Sequence, residues 1–363
     1  MILPSFGDAY REISDLAFSA RGFYNQLTQD RSSSRGINGE LLSTSYFHNF
    51  LRGDPGIKKA IVVISGVHGI EGHAGHILQC RLLREKMDLG LPPDTGLILI
   101  HLVNPWGFSH QRRVDECNID VNRGCFDDEH GNNLLYDGVK SLVEPDEITL
   151  ALLAALKERV SDPEERRKFF AAAVSGQWHS PKGIFYGGET TCISGRHLQA
   201  ACHDVLLSQL EQIVAIDLHT GLGPYGVGSI LCPLPSNEGP EAEKTRKMFG
   251  SGVQFINAGK SVTTSVSGDF LPAMQRRLPN CDFTGVALEM GTTTVEESFP
   301  AIVIENLLHY RLDKISGVDP KLIKDAMDMF RKTFAPIDDE VWMQKLKASF
   351  DGLWNSAVQG LSR

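Results

Sequence analysis

The stretch KKAIVVISGVHGIEGHAG, residues 58–75, decides how the rest of the chain is read. Its centre, Ala60 to Ile64, is continuously apolar and mostly β-branched. Such a run suits a strand covered on both faces, as in an α/β sheet, because a strand with one wet face alternates instead. A glycine-spaced segment carrying His68 and Glu71 interrupts it. The stretch from His73 to Met87 then sets Ala74, Ile77, Leu78 and Leu82 at helical spacing.

Three further stretches carry the same signal. GLILIHLVNP (96–105) ends on Asn104 ahead of a Pro-Trp-Gly turn, QIVAIDLHTG (212–221) carries His219 near its end, and GVALEMGT (285–292) carries Glu289. Four strands thus bring polar groups to one edge of a sheet, and ligands of open α/β sheets bind at the carboxyl ends of their strands. Elsewhere the spacing predicts helices over Phe6–Thr28, Ile148–Val160, Glu164–Val174, His197–Gln212, Phe299–Leu312, Lys321–Phe334 and Glu340–Val358. DRSSSRGINGE (30–40) reads as turns, and Phe108 to Asn133 as a loop too polar for a core. GQWHSPKGIFYGGET (176–190) reads as a long loop whose His179, Lys182 and Tyr186 either line a pocket or are structural. The reading is one doubly covered sheet with insertions.

Bulk properties narrow the function classes. The 363 residues suffice for one large α/β domain. Lys and Arg number 36 against 45 Asp and Glu, a net charge of -9, so the surface repels nucleic acid and anionic lipid. The start lacks the basic and apolar regions of a signal peptide, and no stretch reaches the roughly 20 apolar residues of a membrane span. The seven cysteines are scattered without a CxxC pair, which makes reduced cytoplasm the expected compartment.

His68, Glu71 and His219 suit zinc, since imidazole and carboxylate are good ligands and three of them leave a fourth position for water. Glu289 then fits as the base that takes a proton from that water and passes it to a leaving amine. An HxxE tetrapeptide also arises by chance, His73 and His76 are rival ligands or helix-surface residues, and His219 fits a paired core histidine. Glu289 is harder to dismiss, because an acid at the end of an apolar strand needs a partner. RRVDECNIDVNR (112–123) is the second candidate. Arginine grips a carboxylate with two parallel hydrogen bonds, Asn122 adds an amide donor, and Asp120 can accept from the rear nitrogen of a metal-bound histidine. A salt-bridged polar loop accounts for the same run equally well.

Taken in order, VHGIEG, RRVDECNIDVNR, AIDLHTG and ALEMGT resemble the M14-type zinc carboxypeptidases and their relatives, the succinylglutamate desuccinylases and aspartoacylases. The chain is most similar to the DUF2817 branch of that group, over roughly residues 58 to 310. The resemblance implies an α/β fold with a mixed, twisted central sheet of about eight strands and helices on both faces. It implies one zinc ion on His68, Glu71 and His219, with Asp120 behind the first histidine and Glu289 as the catalytic glutamate. It makes Arg113 the group that polarises the scissile carbonyl, and Asn122 and Arg123 the pair that holds a substrate carboxylate. The carboxypeptidases also carry a mobile tyrosine before the catalytic glutamate. Between His219 and Glu289 the only tyrosine is Tyr225, which lies close after the metal histidine and does not match.

The expectation is therefore zinc-dependent hydrolysis of an amide bond in a small carboxylate-bearing substrate of the N-acyl amino acid type. A metallocarboxypeptidase and a non-catalytic metal-binding protein on the same scaffold are the alternatives. The partner is a small molecule or short peptide with a free carboxylate, and neither nucleic acid nor membrane. Residues 1–363 are expected to form one hydrolase domain. An insertion at about 126–190 either caps the site or builds a peptide groove, and a helical extension occupies about 318–363.

Overall fold

Eight strands among the described residues form one mixed sheet: β1 (Asn25–Arg35), β2 (Leu41–His48), β3 (Lys59–Ser65), β4 (Thr95–His101), β5 (Gln212–Gly221), β6 (Gly228–Cys232), β7 (Gln254–Phe255) and β8 (Asp282–Gly291). Their order is β1-β2-β4-β3-β5-β8-β6-β7. β4, β3, β5 and β8 run parallel, and β1, β2 and β6 enter antiparallel to their inner neighbours. The structure is a computed structural model that describes residues 3–20, 25–85, 90–126, 133–145, 149–256, 268–310 and 319–362.

The continuous apolar runs do what their composition requires. Along β3, Ile61 and Val63 join one buried cluster, while Ala60, Val62 and Ile64 join another on the opposite face. β5 divides the same way, with Val214, Ile216 and Leu218 on one side and Ile213 and Ala215 on the other. A period of two therefore feeds two cores at once. The first face is covered by helices Phe6–Ser19, Gly72–Arg84, Pro240–Phe249 and Glu340–Leu361, the last contributing Trp342, Phe350 and Trp354. The second is covered by Ile193–His203 and Phe270–Arg277. Helices Leu150–Ser161 and Pro163–Ala173 build a separate core against Val295–Tyr310, through Leu156, Phe169, Phe299 and Val303.

Several sequence expectations need correction. The first helix stops at Ser19, and Asn25–Arg35 is a strand rather than helix and turns. It pairs antiparallel with β2, from Asn25↔His48 to Arg31↔Leu42, with a turn in which Gly36 N–H donates to Glu40 O. An edge strand has one ladder partner and needs no apolar pattern. β2 itself hides behind Ser43, Thr44 and Ser45, which are buried; Thr44 Oγ1 donates to Leu102 O. The polar run after Phe108 is not a surface loop, since Arg112, Asp115, Asn118, Asp120 and Arg123 are all buried. Several of its polar groups find partners there: Asp115 Oδ1 accepts from the amides of Cys117 and Ile119, and Asn118 Nδ2 donates to the carbonyls of Pro181 and Gly183. The expected helix His197–Gln212 is Ile193–His203 followed by Val205–Ser208, because Asp204 turns its side chain to cap the second piece at Leu206 N. The ends expected at Met87, Ile148 and Leu312 lie outside the described residues. Among the described residues, no helix is long and apolar enough to cross a membrane.

Candidate metal centre and substrate cavity

β3 runs out at Ser65, and three residues later His68 enters the space above the strand ends. Glu71 follows as the residue before helix Gly72–Arg84. Gly69 between them packs on the backbone of Gly107, where an added Cβ would sit 2.1 Å from the Gly107 carbonyl carbon. The loop is fixed further by Gly69 and Ile70, whose amides donate to the carbonyls of Arg113 and Arg112. The same contacts that place the first two candidate ligands thereby place Arg113. His219 arrives from β5, in register with Glu289 on β8.

His68, Glu71 and His219 each offer one ligand atom, and those atoms lie within 4.8 Å of one another. All three residues are buried. His68 Nδ1 is 2.9 Å from Glu71 Oε1, His219 Nδ1 is 3.0 Å from Glu71 Oε2, and the two Nδ1 atoms are 3.2 Å apart. The rear nitrogens face carboxylates: His68 Nε2 lies 3.2 Å from Asp120 Oδ1, and His219 Nε2 lies 2.8 Å from Asp217 Oδ2. With a cation bound, the carboxylate behind His219 would hold the proton on Nε2 and turn the Nδ1 lone pair toward the common point, the arrangement found behind metal-bound histidines, while behind His68 the Nε2 position is shared by Asp120 and Arg113 Nη2. The donor set therefore fits a divalent cation of the zinc type.

Charge is arranged to match. Burial alone would raise the Glu71 carboxyl, but His68 and His219 overcome it and hold the group well below the usual carboxylate range. Asp120 is likewise opposed by burial and held well down by Arg113, His68 and Arg123. Burial would lower His219, yet Asp217 and Glu71 hold it well above the ordinary imidazole value. For Glu289 burial wins: together with the nearby Glu71 it pushes the carboxyl up to about 7, against the opposing pull of His219, the Leu222 amide and His68.

The group opens into a cavity of about 170 Å³ that Arg113, Asn122, Arg123 and Glu289 also line. Arg113 Nε donates to Asp120 Oδ2 at 3.0 Å, and its other nitrogens turn to the ligand set, Nη1 3.3 Å from Glu71 Oε1 and Nη2 2.7 Å from His68 Nε2. Arg123 donates to Val174 O through Nε and Nη2 and to Asn122 O through Nη1. Asn122 Oδ1 accepts from Phe270 N–H at 2.9 Å, which leaves its amide nitrogen as the cavity-side donor. Glu289 Oε1 accepts from Leu222 N–H at 2.9 Å. All eight sequence-predicted site residues thus converge on one region, with Asp120 directly behind the ligands.

Three contributors escape the sequence reading. Asp217 is one, although its place two residues before His219 on the same strand face is a usable signal. Phe185 is the second: at φ +52 it turns its ring beneath both guanidinium groups, 5.2 Å from Arg113 Cζ and 5.3 Å from Arg123 Cζ. Asp269 is the third, a buried cavity residue whose Oδ1 has no hydrogen-bond partner among the described residues. Burial pushes its carboxyl up to about 6 despite Arg123. His179 instead pairs with Asp137, and Tyr225 donates to Asp339 at 2.6 Å, away from the cavity.

Residues 11–348 match a family described as a protein of unknown function (DUF2817). No curated protein matches the chain. Carboxypeptidase A from Helicoverpa armigera is similar in structure, with a TM-score of 0.51 at 12% identity over 98% of this chain and 74% of the other. Bovine thrombin-activatable fibrinolysis inhibitor, solved with tick carboxypeptidase inhibitor, also gives 0.51, at 9% identity over 99% and 98% of the two chains. At these identities the likeness establishes the carboxypeptidase-like fold.

Proposed function

The chain belongs to the DUF2817 family, and we propose that it is a zinc-dependent hydrolase of an amide bond in a small substrate with a free carboxylate. The observation that carries this reading is the convergence of His68, Glu71 and His219, each histidine backed by a carboxylate, on a cavity shared with Glu289 and two arginines. Zinc held there would lower the pKa of a coordinated water and polarise a carbonyl oxygen.

The chain's own groups do the rest. Arg123 and the Asn122 amide bind the substrate carboxylate, a charge-assisted pairing that sets the distance from carboxylate to scissile carbonyl. Arg113, anchored by Asp120, stands against the ligand set, and its Nη donors, now beside Glu71 and His68, shift to meet the developing oxyanion. Glu289 accepts the proton of the attacking water and delivers it to the departing amine. A carboxyl raised toward neutrality is suited to both directions of that transfer.

Tyr225 separates the two enzymatic readings. Its hydroxyl is committed to Asp339, it is 44% exposed, and no other tyrosine stands between His219 and Glu289. The absence of a cavity tyrosine there favours N-acyl amino acids over peptide C-termini. The test is amine release from a matched panel of N-acyl amino acids, dipeptides, longer peptides and their amidated analogues, before chelation, after it, and after zinc is restored. The expected result is metal-dependent cleavage of N-acyl amino acids, with amidated analogues much poorer. Preferential cleavage of peptides would replace the deacylase reading by a carboxypeptidase, and cleavage unaffected by chelation would overturn the hydrolase mechanism.

A further inference from the structure

A second group of metal-ligand side chains lies one to two turns into the helix that begins just after Glu71. His76 and Cys80 occupy positions i and i+4 of helix Gly72–Arg84 and so share a face, and Glu12 meets them from helix Phe6–Ser19. One ligand atom from each of Glu12, His76 and Cys80 falls within 4.8 Å of the others. Glu12 Oε2 is 3.2 Å from His76 Nε2, and Cys80 Sγ lies beside the same ring, 3.7 Å from Nε2 and 3.5 Å from Nδ1. Zinc–nitrogen and zinc–oxygen bonds of about 2.0 Å and a zinc–sulfur bond of about 2.3 Å, at tetrahedral angles, set ligand atoms roughly 3.3–3.6 Å apart.

We propose that Glu12, His76 and Cys80 form a second metal site, separate from the hydrolytic centre, for a thiophilic divalent cation such as zinc. His101 supplies the independent observation. It is fully buried, its Nε2 lies 3.2 Å from His76 Nδ1, and its own Nδ1 has no hydrogen-bond partner among the described residues. With an ion bound, His76 would carry its proton on Nδ1 and donate it to His101 Nε2, freeing Nε2 as the ligand atom, so that His101 takes the rear-partner role. Glu12 Oε1 is paired with Arg84 Nη2 on the exposed side, which leaves Oε2 for the ion, and a Cys80 thiolate supplies the second negative charge. The Glu12 side chain is 42% exposed, which gives an ion a route in. The fourth position falls to water, and the ion staples the N-terminal helix to the helix that begins beside Glu71.

Cobalt distinguishes the two centres, because only the second contains sulfur. The metal-stripped full chain titrated with Co2+ is expected to develop a near-ultraviolet thiolate-to-cobalt band, kept in His219→Ala and lost in Cys80→Ser. Glu12→Gln, at a partly exposed position that tolerates the change, is expected to weaken the band while its circular dichroism stays that of wild type. Wild-type zinc content should be two equivalents per chain, falling to one in Cys80→Ser. No band in the folded wild-type protein, or an equal band in Cys80→Ser, would overturn the proposal and reduce the cluster to a Glu12–His76–His101 hydrogen-bond chain.

Discussion

Asp217 and His219 lie two residues apart on β5, so the strand period points both side chains the same way, and the carboxylate meets Nε2 at 2.8 Å. Replacing Asp217 by Asn should loosen the imidazole's orientation and basicity, lowering zinc affinity by roughly 10- to 100-fold. Competition with a chromophoric chelator measures this, and an unchanged affinity would remove Asp217 from the metal centre. Glu289 yields a pH effect of known sign. Its folded carboxyl is raised from 4.5 to about 7 by burial and Glu71. As pH rises through that window the unfolded chain releases its proton first, so the stability this group contributes below pH 4.5 is lost progressively up to about 7. Glu289→Gln, which keeps a carbonyl to accept from Leu222 N–H, should therefore raise the Tm of the metal-free protein by a few degrees at pH 8 and little at pH 4.5. An equal change at both pH values would contradict the buried-charge account. At this scale the sequence showed the residues that sit abnormally, such as an acid or a histidine ending an apolar strand. It did not show Phe185 or Asp269, whose places depend on a positive-φ loop residue and on a helix start that leave no local pattern.

Elements were legible where one physical signal acted alone. The inner strands β3, β4, β5 and β8 have both faces covered, and their unbroken apolar runs announce it. β1, β6 and β7 were not read, because their pairing is set by neighbours rather than by their own composition, and β2 was masked by its buried hydroxyl residues. The Arg112–Arg123 loop was misplaced on the surface for a related reason: charged residues enter a core when an opposite charge meets them there, as Glu305 meets Arg112 at its Nε. The ligand turn carries a prediction of its own. A Cβ at Gly69 would meet Gly107 backbone atoms at 2.1 to 2.3 Å, and backbone cannot swing aside as a side chain can. Gly69→Ala should cost about 1–3 kcal/mol of stability and weaken metal binding with it, since the turn carries both His68 and Glu71. Denaturant unfolding with and without zinc checks this; wild-type stability together with wild-type metal affinity would show that the turn does not position the ligands.

Across the whole molecule, the segment between residues 133 and 185 is bound to the rest by its own core. Phe169 packs edge-on to Phe299 at 5.2 Å between ring centroids, and Phe299 and Phe185 also line the cavity. We expect residues 1–363 to unfold as one cooperative unit, with Phe169→Ala moving the entire transition down by about 3–5 kcal/mol. Two resolved calorimetric transitions would make the insertion a unit of its own. The order of the four motifs carried the fold-level reading, whereas which segments cover the site depended on long-range packing that spacing cannot encode. The central claim joins these scales: an ion on His68, Glu71 and His219, with Glu289 moving the protons. It is tested most directly by comparing Glu289→Gln with the wild-type protein for zinc content and for amine release from an N-acyl amino acid. The account predicts unchanged zinc content with turnover reduced by roughly 100-fold or more. Wild-type turnover in the zinc-loaded variant would contradict it.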